Sequence, residues 1–416
     1  MELADLYKRR DEFFLKPSKA TESLIIVGLI VGLLGVAFGF YQDPARGWGV
    51  LLTSNMFFFF LAFGGVIFGG IQDVVGAEWG RPIKRMHETF GAFFVPSALF
   101  FIAFLVFVKL GVPGTREVYK WIANPAMLDH FPGKNVWLTE TFFIVRNIVA
   151  LVLMIVMVRW SRKQNTLADD AFLAGDLEKA KELGELGKNR LRFWTAPMLF
   201  AHGTIFTFLV TDLTMSLSPL WFSTLWGGWS FAVLMQSLLA MMLVFMFLLK
   251  KQSMASLVTR SQYHDVGKML HGFTAFWGYL TFAHILTYWY GNIPEETEYF
   301  IHRLHSPWQE LMIAVGFMAF VIPFFVLIPK ASKWTQPITL PLAFLILSAQ
   351  WLVHMLVVQP EVVASDKFGF PLAEIGGLVF FASVFVFCFV WVGKKKLLVS
   401  LADPLLLKHL NERDHH

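Results

Sequence analysis

Long apolar runs alternate with polar segments along the whole chain. Ten such runs fall near residues 23–41, 48–72, 90–111, 136–160, 194–217, 225–250, 266–291, 308–329, 337–358 and 372–393. About 20 apolar residues at 1.5 Å rise cross the hydrocarbon core of a bilayer, so each run predicts a membrane-crossing helix. The runs are continuous and do not alternate, which argues against a β-barrel. The expected fold is an all-α polytopic membrane protein with about ten transmembrane helices. An N-terminal segment, 1–22, and a tail, 394–416, flank the transmembrane domain, 23–393. The first and last runs hold little polar content. They predict two peripheral helices around a functional core of eight.

The run at 266–291 lies within His264–Thr297, HDVGKMLHGFTAFWGYLTFAHILTYWYGNIPEET. It carries Lys268, His271 and His284 inside or at the edge of an aromatic, apolar stretch. Ionisable groups in a span are costly and face a protein interior or a water-filled pathway.

Composition agrees with this class. The chain is 56% hydrophobic and only 16% charged, against about 25% charged in soluble domains. The net charge of +5 sits in loops. It therefore reports topology and makes no case for nucleic-acid binding. Cys388 is the only cysteine. That excludes a disulfide framework, an Fe–S cluster and covalent haem attachment on this chain. The polar N-terminus lacks a small-residue cleavage site, so no secretory signal peptide is expected.

Basic residues set the expected orientation. They crowd Lys8–Arg10, Arg81–Arg85, the loop 161–192, Lys250, Lys251 and Arg260, Lys330 and Lys333, and Lys394–Lys396. The loops between these have few, apart from Arg116, Lys120 and Lys134 in the longer third loop. The positive-inside rule then makes both termini cytoplasmic. In the loop 161–192, LEKAKELGELGKNRLRF has helical charge spacing and predicts a solvated surface helix. Asp403 before Pro404 predicts a short helix in the tail.

Polar residues inside the spans are the candidate chemistry. On this reading Asp73 lies at the cytoplasmic end of the second span and Glu140 near the outer end of the fourth. Arg146 lies about ten residues, or about 15 Å, into that span, near the midplane. His202 and Asp212 occupy the inner and outer parts of the fifth span. Lys268, His271, His284 and His354 run across the seventh and ninth. Chains of protonatable residues mark proton relays in membrane proteins. The expected path leaves at Asp212 and Glu140 and runs inward through His202 toward Asp73. Lys268, His271, His284 and His354 form a parallel route. Each residue also has a structural role open to it: Arg146 as an ion-pair partner of Glu140 or Asp212, Lys268 snorkelling to the interface, Asp73 as a helix cap. A haem between His202 and His284 or His354 is the rival reading of the histidines.

Two stretches carry a family resemblance. DLTMSLSPLWFSTLWG (Asp212–Gly227) and the His264–Thr297 segment resemble the large membrane subunits of alternative complex III. That complex is a bacterial quinol:cytochrome c oxidoreductase unrelated to the cytochrome bc complex. Its large membrane subunits belong to the polysulfide reductase membrane-subunit (NrfD-like) superfamily. GAEWGRPIKRMHE (Gly76–Glu88), LTETFFIVRN (Leu138–Asn147) and the Asp403-Pro404 tail agree, so the likeness runs from the second span to the tail. These large subunits come in a C type and an F type. The Pro294-Glu-Glu-Thr ending and GAEWGRPIKR look like the F type. The chain departs from the family pattern at His284, where glutamine is expected, at Leu213, where tryptophan is, and at Ser218, where an acid is usual.

The resemblance implies ten helices with two four-helix bundles, spans two to five (48–217) and six to nine (225–358). It implies the bacterial cytoplasmic membrane. It implies as partners a homologous C-type membrane protein, an Fe–S subunit, a multihaem cytochrome c and small membrane subunits. Haem and Fe–S clusters then belong to the partners only, and this chain holds no covalent cofactor. Its one implied ligand is a quinone, menaquinone or ubiquinone. The rival class is a self-contained transporter, which calls for Gly/Pro-broken helices at matching places in both halves. Pro96, Pro197 and Pro323 fall in spans without such a pairing.

Overall fold

The computed structural model describes residues 3–129, 132–250, 257–364 and 368–414, so Lys251 lies outside the described residues. Those residues form helices and loops, with no strand among them. The main helices are α1 (Lys19–Gln42), α2 (Pro44–Val75), α3 (Arg81–Leu110), α4 (Glu140–Asn165), α5 (Leu177–Leu213) and α6 (Trp226–Leu249). They continue with α7 (Arg260–Gly291), α8 (Pro294–Arg303), α9 (Trp308–Val326), α10 (Gln336–Val362), α11 (Leu372–Gly393) and α12 (Pro404–Asp414). Among the described residues nine helices are long and apolar enough to cross a membrane: α1–α6 and α9–α11. The remaining expected span, the seventh, is α7, a 32-residue helix that falls outside this set. Lys268, His271, His284 and its tyrosines and tryptophans dilute its apolar content.

Local chemistry sets several boundaries. Asp43 caps α2 by accepting from the Ala45 N–H at 2.8 Å, and Pro44 opens the helix where its missing N–H costs nothing. Gly76, with φ 63°, ends it in the left-handed region. The helix α3 starts before its apolar run and is broken by a turn at Gly91–Phe93. The charged stretch expected as a separate surface helix is instead the first half of α5, one continuous 37-residue helix. The helix α9 is interrupted by a π-helical turn over Gly316–Val321.

The helices close into two rings of four. In the first, α2 packs on α3 and α5, and α4 lies between α3 and α5. In the second, α6 packs on α7 and α10, and α9 lies between α7 and α10. The rings join where α2 meets α6 and α10, and where α5 meets α6. The first and last spans, α1 and α11, pair with each other and lean on α2. They approach so closely that a Cβ on Gly35 would sit 2.6 Å from the Gly376 Cα. Small residues permit such close helix contacts in membranes.

The two ends of the molecule differ. At one end the N-terminal segment, the α4–α5 loop and the tail meet: Leu15 N–H donates to the Gly393 carbonyl, Tyr7 packs edge-on against Phe172, and Asp403 reaches Arg81. We call this the terminal end. The far end is held by Trp48 donating to the Pro113 carbonyl, Lys134 to the Pro219 carbonyl, and a Trp221–Tyr299 stack.

Candidate functional site

At the terminal end α2 delivers Asp73 into a buried cluster of charges. Its Oδ1 accepts from Arg81 Nη1 at 2.8 Å and from Lys84 Nζ at 2.7 Å. Arg81 also reaches Asp403 Oδ2 at 3.2 Å. Lys84 donates to Asn165 Oδ1 at 2.7 Å and lies 3.3 Å from Glu88 Oε1. Asn165 returns a bond to Glu88 Oε1 at 3.1 Å. Arg85 pairs with Asp169 at 2.6 Å and donates to Ser400 Oγ at 2.8 Å. Charges this deep persist only when paired and hydrogen-bonded, and here they are.

From this cluster a small cavity runs into the first ring. Asp73, Glu88, Asn165, Thr195 and His202 line it, and it offers about 40 Å³ to water centres, enough for an ordered water. A second cavity of about 30 Å³ shares Asp73 and Asn165 and is bordered by Lys188, Ser400 and Asp403. His202 closes the inner limit. Its Nδ1 lies 2.8 Å from the Met198 carbonyl, and its buried Nε2 has no hydrogen-bond partner among the described residues. With Nδ1–H donating to that carbonyl, Nε2 keeps a lone pair able to take a proton.

Asp212 and Arg146 sit elsewhere. The helix α4 begins only at Glu140, so Arg146 is about 9 Å from that helix end, less than the expected 15 Å. Arg146 donates to Asp212 twice, at 2.6 and 2.8 Å. Asn147 Nδ2 and Trp137 Nε1 add bonds at 2.9 and 3.2 Å. The Arg146 guanidinium also lies over the Trp137 ring, 4.2 Å from its centroid. Glu140 does not join them. It faces Lys109 at 3.3 Å and Arg116 at 3.2 Å.

In the second ring the candidates are separate from one another. Lys268 pairs with Asp265 at 2.8 Å and is largely exposed. His271 stacks on Phe324. His284 Nε2 lies 2.8 Å from Ser223 Oγ, beside Trp226 and Trp229. His354 Nδ1 lies 2.8 Å from the Gln350 carbonyl, and its ring meets Phe57 and Phe60 of α2. No hydrogen bond among the described residues links these four. Between His354 and His202 runs a file of phenyl rings, Phe60, Phe206 and Phe63.

Sequence reading did not count Glu88, Asn165, Arg81 or Asp403 among the site residues, yet they share the cluster with Asp73. Their signal was present in part: Arg81, Lys84 and Glu88 recur at helical spacing, which places them on one face. It also passed over the buried pair Arg46–Glu374 and the group Lys120–Glu361–Arg303. Nothing local in the chain announces partners so far apart.

The fold and the cluster define a multi-pass, all-helical membrane protein with buried ionisable groups and a water-sized cavity inside its helix rings. No protein-family model and no curated protein matches the chain.

Proposed function

We propose that this chain is an F-type integral membrane subunit of a quinol:cytochrome c oxidoreductase related to alternative complex III. It crosses the bacterial cytoplasmic membrane ten times with both termini inside. Partner proteins carry the electrons on haem and Fe–S clusters, while this chain moves protons and meets quinone. The observation that carries the reading is the pair of cavities joining Asp403 and Asp73 at the terminal end to His202 in the ring. A water there can bond Asn165 and pass a proton between Glu88 and His202. The basic terminal end fits a cytoplasmic face, so the leg is one of proton uptake. The sequence motifs support the family side of the reading. Asp212, its acceptor positions filled, acts as a latch between α4 and α5 and not as a carrier.

The test is purification from native membranes with His202→Phe as the probe. The complex should co-purify with haem and Fe–S proteins. The His202→Phe complex should assemble and lose most proton uptake coupled to quinol oxidation. A colourless protein purified alone, or full turnover with unchanged proton stoichiometry in His202→Phe, would overturn the reading.

A further inference from the structure

A groove of about 610 Å³ separates α11 and the N-terminal segment from α6 and α10, and takes no part in the proton path. Phe57 and Phe58 of α2, both buried, lie at its base. Leu248 and Phe344, both more than half exposed, stand on its rim. Its wall on α11 runs from Leu378 to Val390. That length of helix rises about 18 Å, and one leaflet of a bilayer's hydrocarbon core is about 15 Å deep. The groove therefore spans a single leaflet, from midway along the spans to the terminal end.

The walls are unsuited to a polar ligand. Only Thr21, Ser348 and Trp351 among them carry a side-chain nitrogen or oxygen, and Thr21 Oγ1 is already hydrogen-bonded to Ser18 Oγ at 3.0 Å. No charged side chain lines the groove, so its body favours hydrocarbon. The charges gather at its mouth at the terminal end. Lys16 sits between the wall residues Leu15 and Pro17, Lys19 two residues before Thr21, and Lys394 one helical turn beyond Val390. Lys394 pairs with Glu22, and Arg9 holds Glu12 at 2.7 Å. Lys16 and Lys19 are exposed and form no ion pair among the described residues. Lys250, which follows the wall residue Leu249, turns instead toward the Tyr263 ring. The mouth thus carries two uncompensated positive charges at the level where lipid headgroups lie, and basic residues there attract anionic lipid.

We infer that this groove seats an anionic phospholipid. One acyl chain lies against α11 and α6 down to the level of Phe57, and the phosphate meets Lys16 and Lys19. In that seat the lipid joins the α1–α11 pair and the N-terminal segment to the second ring. The site is separate from the His202 leg and holds whether or not the chain works in an electron-transfer complex.

The test uses the full chain in detergent, with phosphatidylglycerol and phosphatidylcholine of identical acyl chains, read by native mass spectrometry. One phosphatidylglycerol per chain should survive delipidation, and phosphatidylcholine should bind about tenfold more weakly. Phosphatidylglycerol with a diazirine in its acyl chain should label peptides from Met241–Leu249, Phe344–Trp351 or Leu378–Val390. Lys16→Gln combined with Lys19→Gln should lower phosphatidylglycerol binding to the phosphatidylcholine level. Lys179→Gln combined with Lys181→Gln, the same charge change on α5 away from the groove, should leave it unaltered. Ala382→Trp places a bulky ring in the α11 wall and should displace both lipids. Thermal unfolding checks each variant, and the exposed lysine pair decides the matter if Ala382→Trp does not fold. Equal affinity for the two lipids, labelling spread evenly over lipid-facing helices such as α4, or undiminished phosphatidylglycerol binding in the folded Lys16→Gln, Lys19→Gln protein would each overturn the proposal. Groove labelling that is lost when the chain is purified with its natural partners would show that a protein fills the groove, and would overturn it too.

Discussion

Arg146 grips Asp212 at two points, Nε to Oδ2 at 2.6 Å and Nη2 to Oδ1 at 2.8 Å. Asn147 and Trp137 supply two more donors, so the carboxylate accepts four bonds. Bidentate arginine–carboxylate pairs combine strength with fixed geometry. Here the pair ties α4 to α5 beside the far-end loops.

Asp212→Asn is therefore expected to destabilise the protein. It places an NH₂ where donors already converge and leaves Arg146 short of a counter-charge. Breaking a buried pair costs about 3–5 kcal/mol. The Arg146 side chain is 14% exposed, so water recovers part of this. Thermal unfolding in detergent should show a clear drop, and the yield of assembled complex should fall. A variant of native stability that alone loses proton coupling would make Asp212 a carrier.

A second pair is buried more deeply. Arg46 Nε and Nη2 donate to Glu374 Oε1 and Oε2 at 3.0 and 3.1 Å, and both side chains are almost wholly buried. The pair fastens α2 to α11. Either Arg46→Met or Glu374→Gln alone should cost about 3–5 kcal/mol, because each leaves the partner unpaired. Replacing both with apolar residues should cost far less than the sum. Unfolding midpoints of the two single variants and the double variant measure the coupling. Simple additivity would mean the pair contributes nothing.

These two pairs mark what could be read along the chain. Apolar runs located the spans because a bilayer demands about 20 apolar residues in succession. Runs 23–41 and 372–393 fall within α1 and α11 to a few residues. The 90–111 run missed the first turns of α3, because Arg81–Phe90 is amphipathic and its charges point into a cluster rather than to lipid. Arg146 and Asp212 could be named as candidate partners, being single charges at span ends. Arg46 and Glu374 are 328 residues apart, and only the packing of α1 and α11 on α2 brings them together. Asn165 was illegible for the same reason: it is 81 residues from Lys84, which bonds it, whereas Glu88, four residues from Lys84, was legible in part.

The far end should respond to acid through His302 on α8, outside the spans. Burial pushes its imidazole below the usual 6.5; Glu361 opposes this, while Arg303, Lys120 and His305 add to it. The unfolded state then holds the proton more tightly. Stability from this group is complete above about pH 6.5 and is lost as pH falls toward the lowered folded value. Unfolding temperatures measured from pH 7.5 to 5 should fall more steeply for the native protein than for His302→Asn. Parallel curves would show that His302 stays solvated.

The π-helical turn of α9 has a cause that can be tested. In an α-helix the Ala319 carbonyl would accept from residue 323, but that residue is Pro323, which has no N–H. The freed carbonyl is buried. Gln236 of α6 reaches across and donates to it from Nε2 at 2.7 Å. The same nitrogen lies 3.0 Å from Thr274 Oγ1, and Gln350 Nε2 donates to Gln236 Oε1. One side chain thus answers a backbone defect and joins three neighbours. Gln236→Leu should destabilise the second ring by about 1–2 kcal/mol, the upper range for interhelical bonds in membranes. In a Pro323→Ala background the helix can supply its own N–H to Ala319. The same Gln236→Leu change should then cost measurably less, with the remainder set by Thr274 and Gln350. Unfolding free energies of the four proteins in this cycle give the coupling directly. A coupling of zero would mean that Gln236 is held by Thr274 and Gln350 alone, and that Pro323 plays no part in recruiting it.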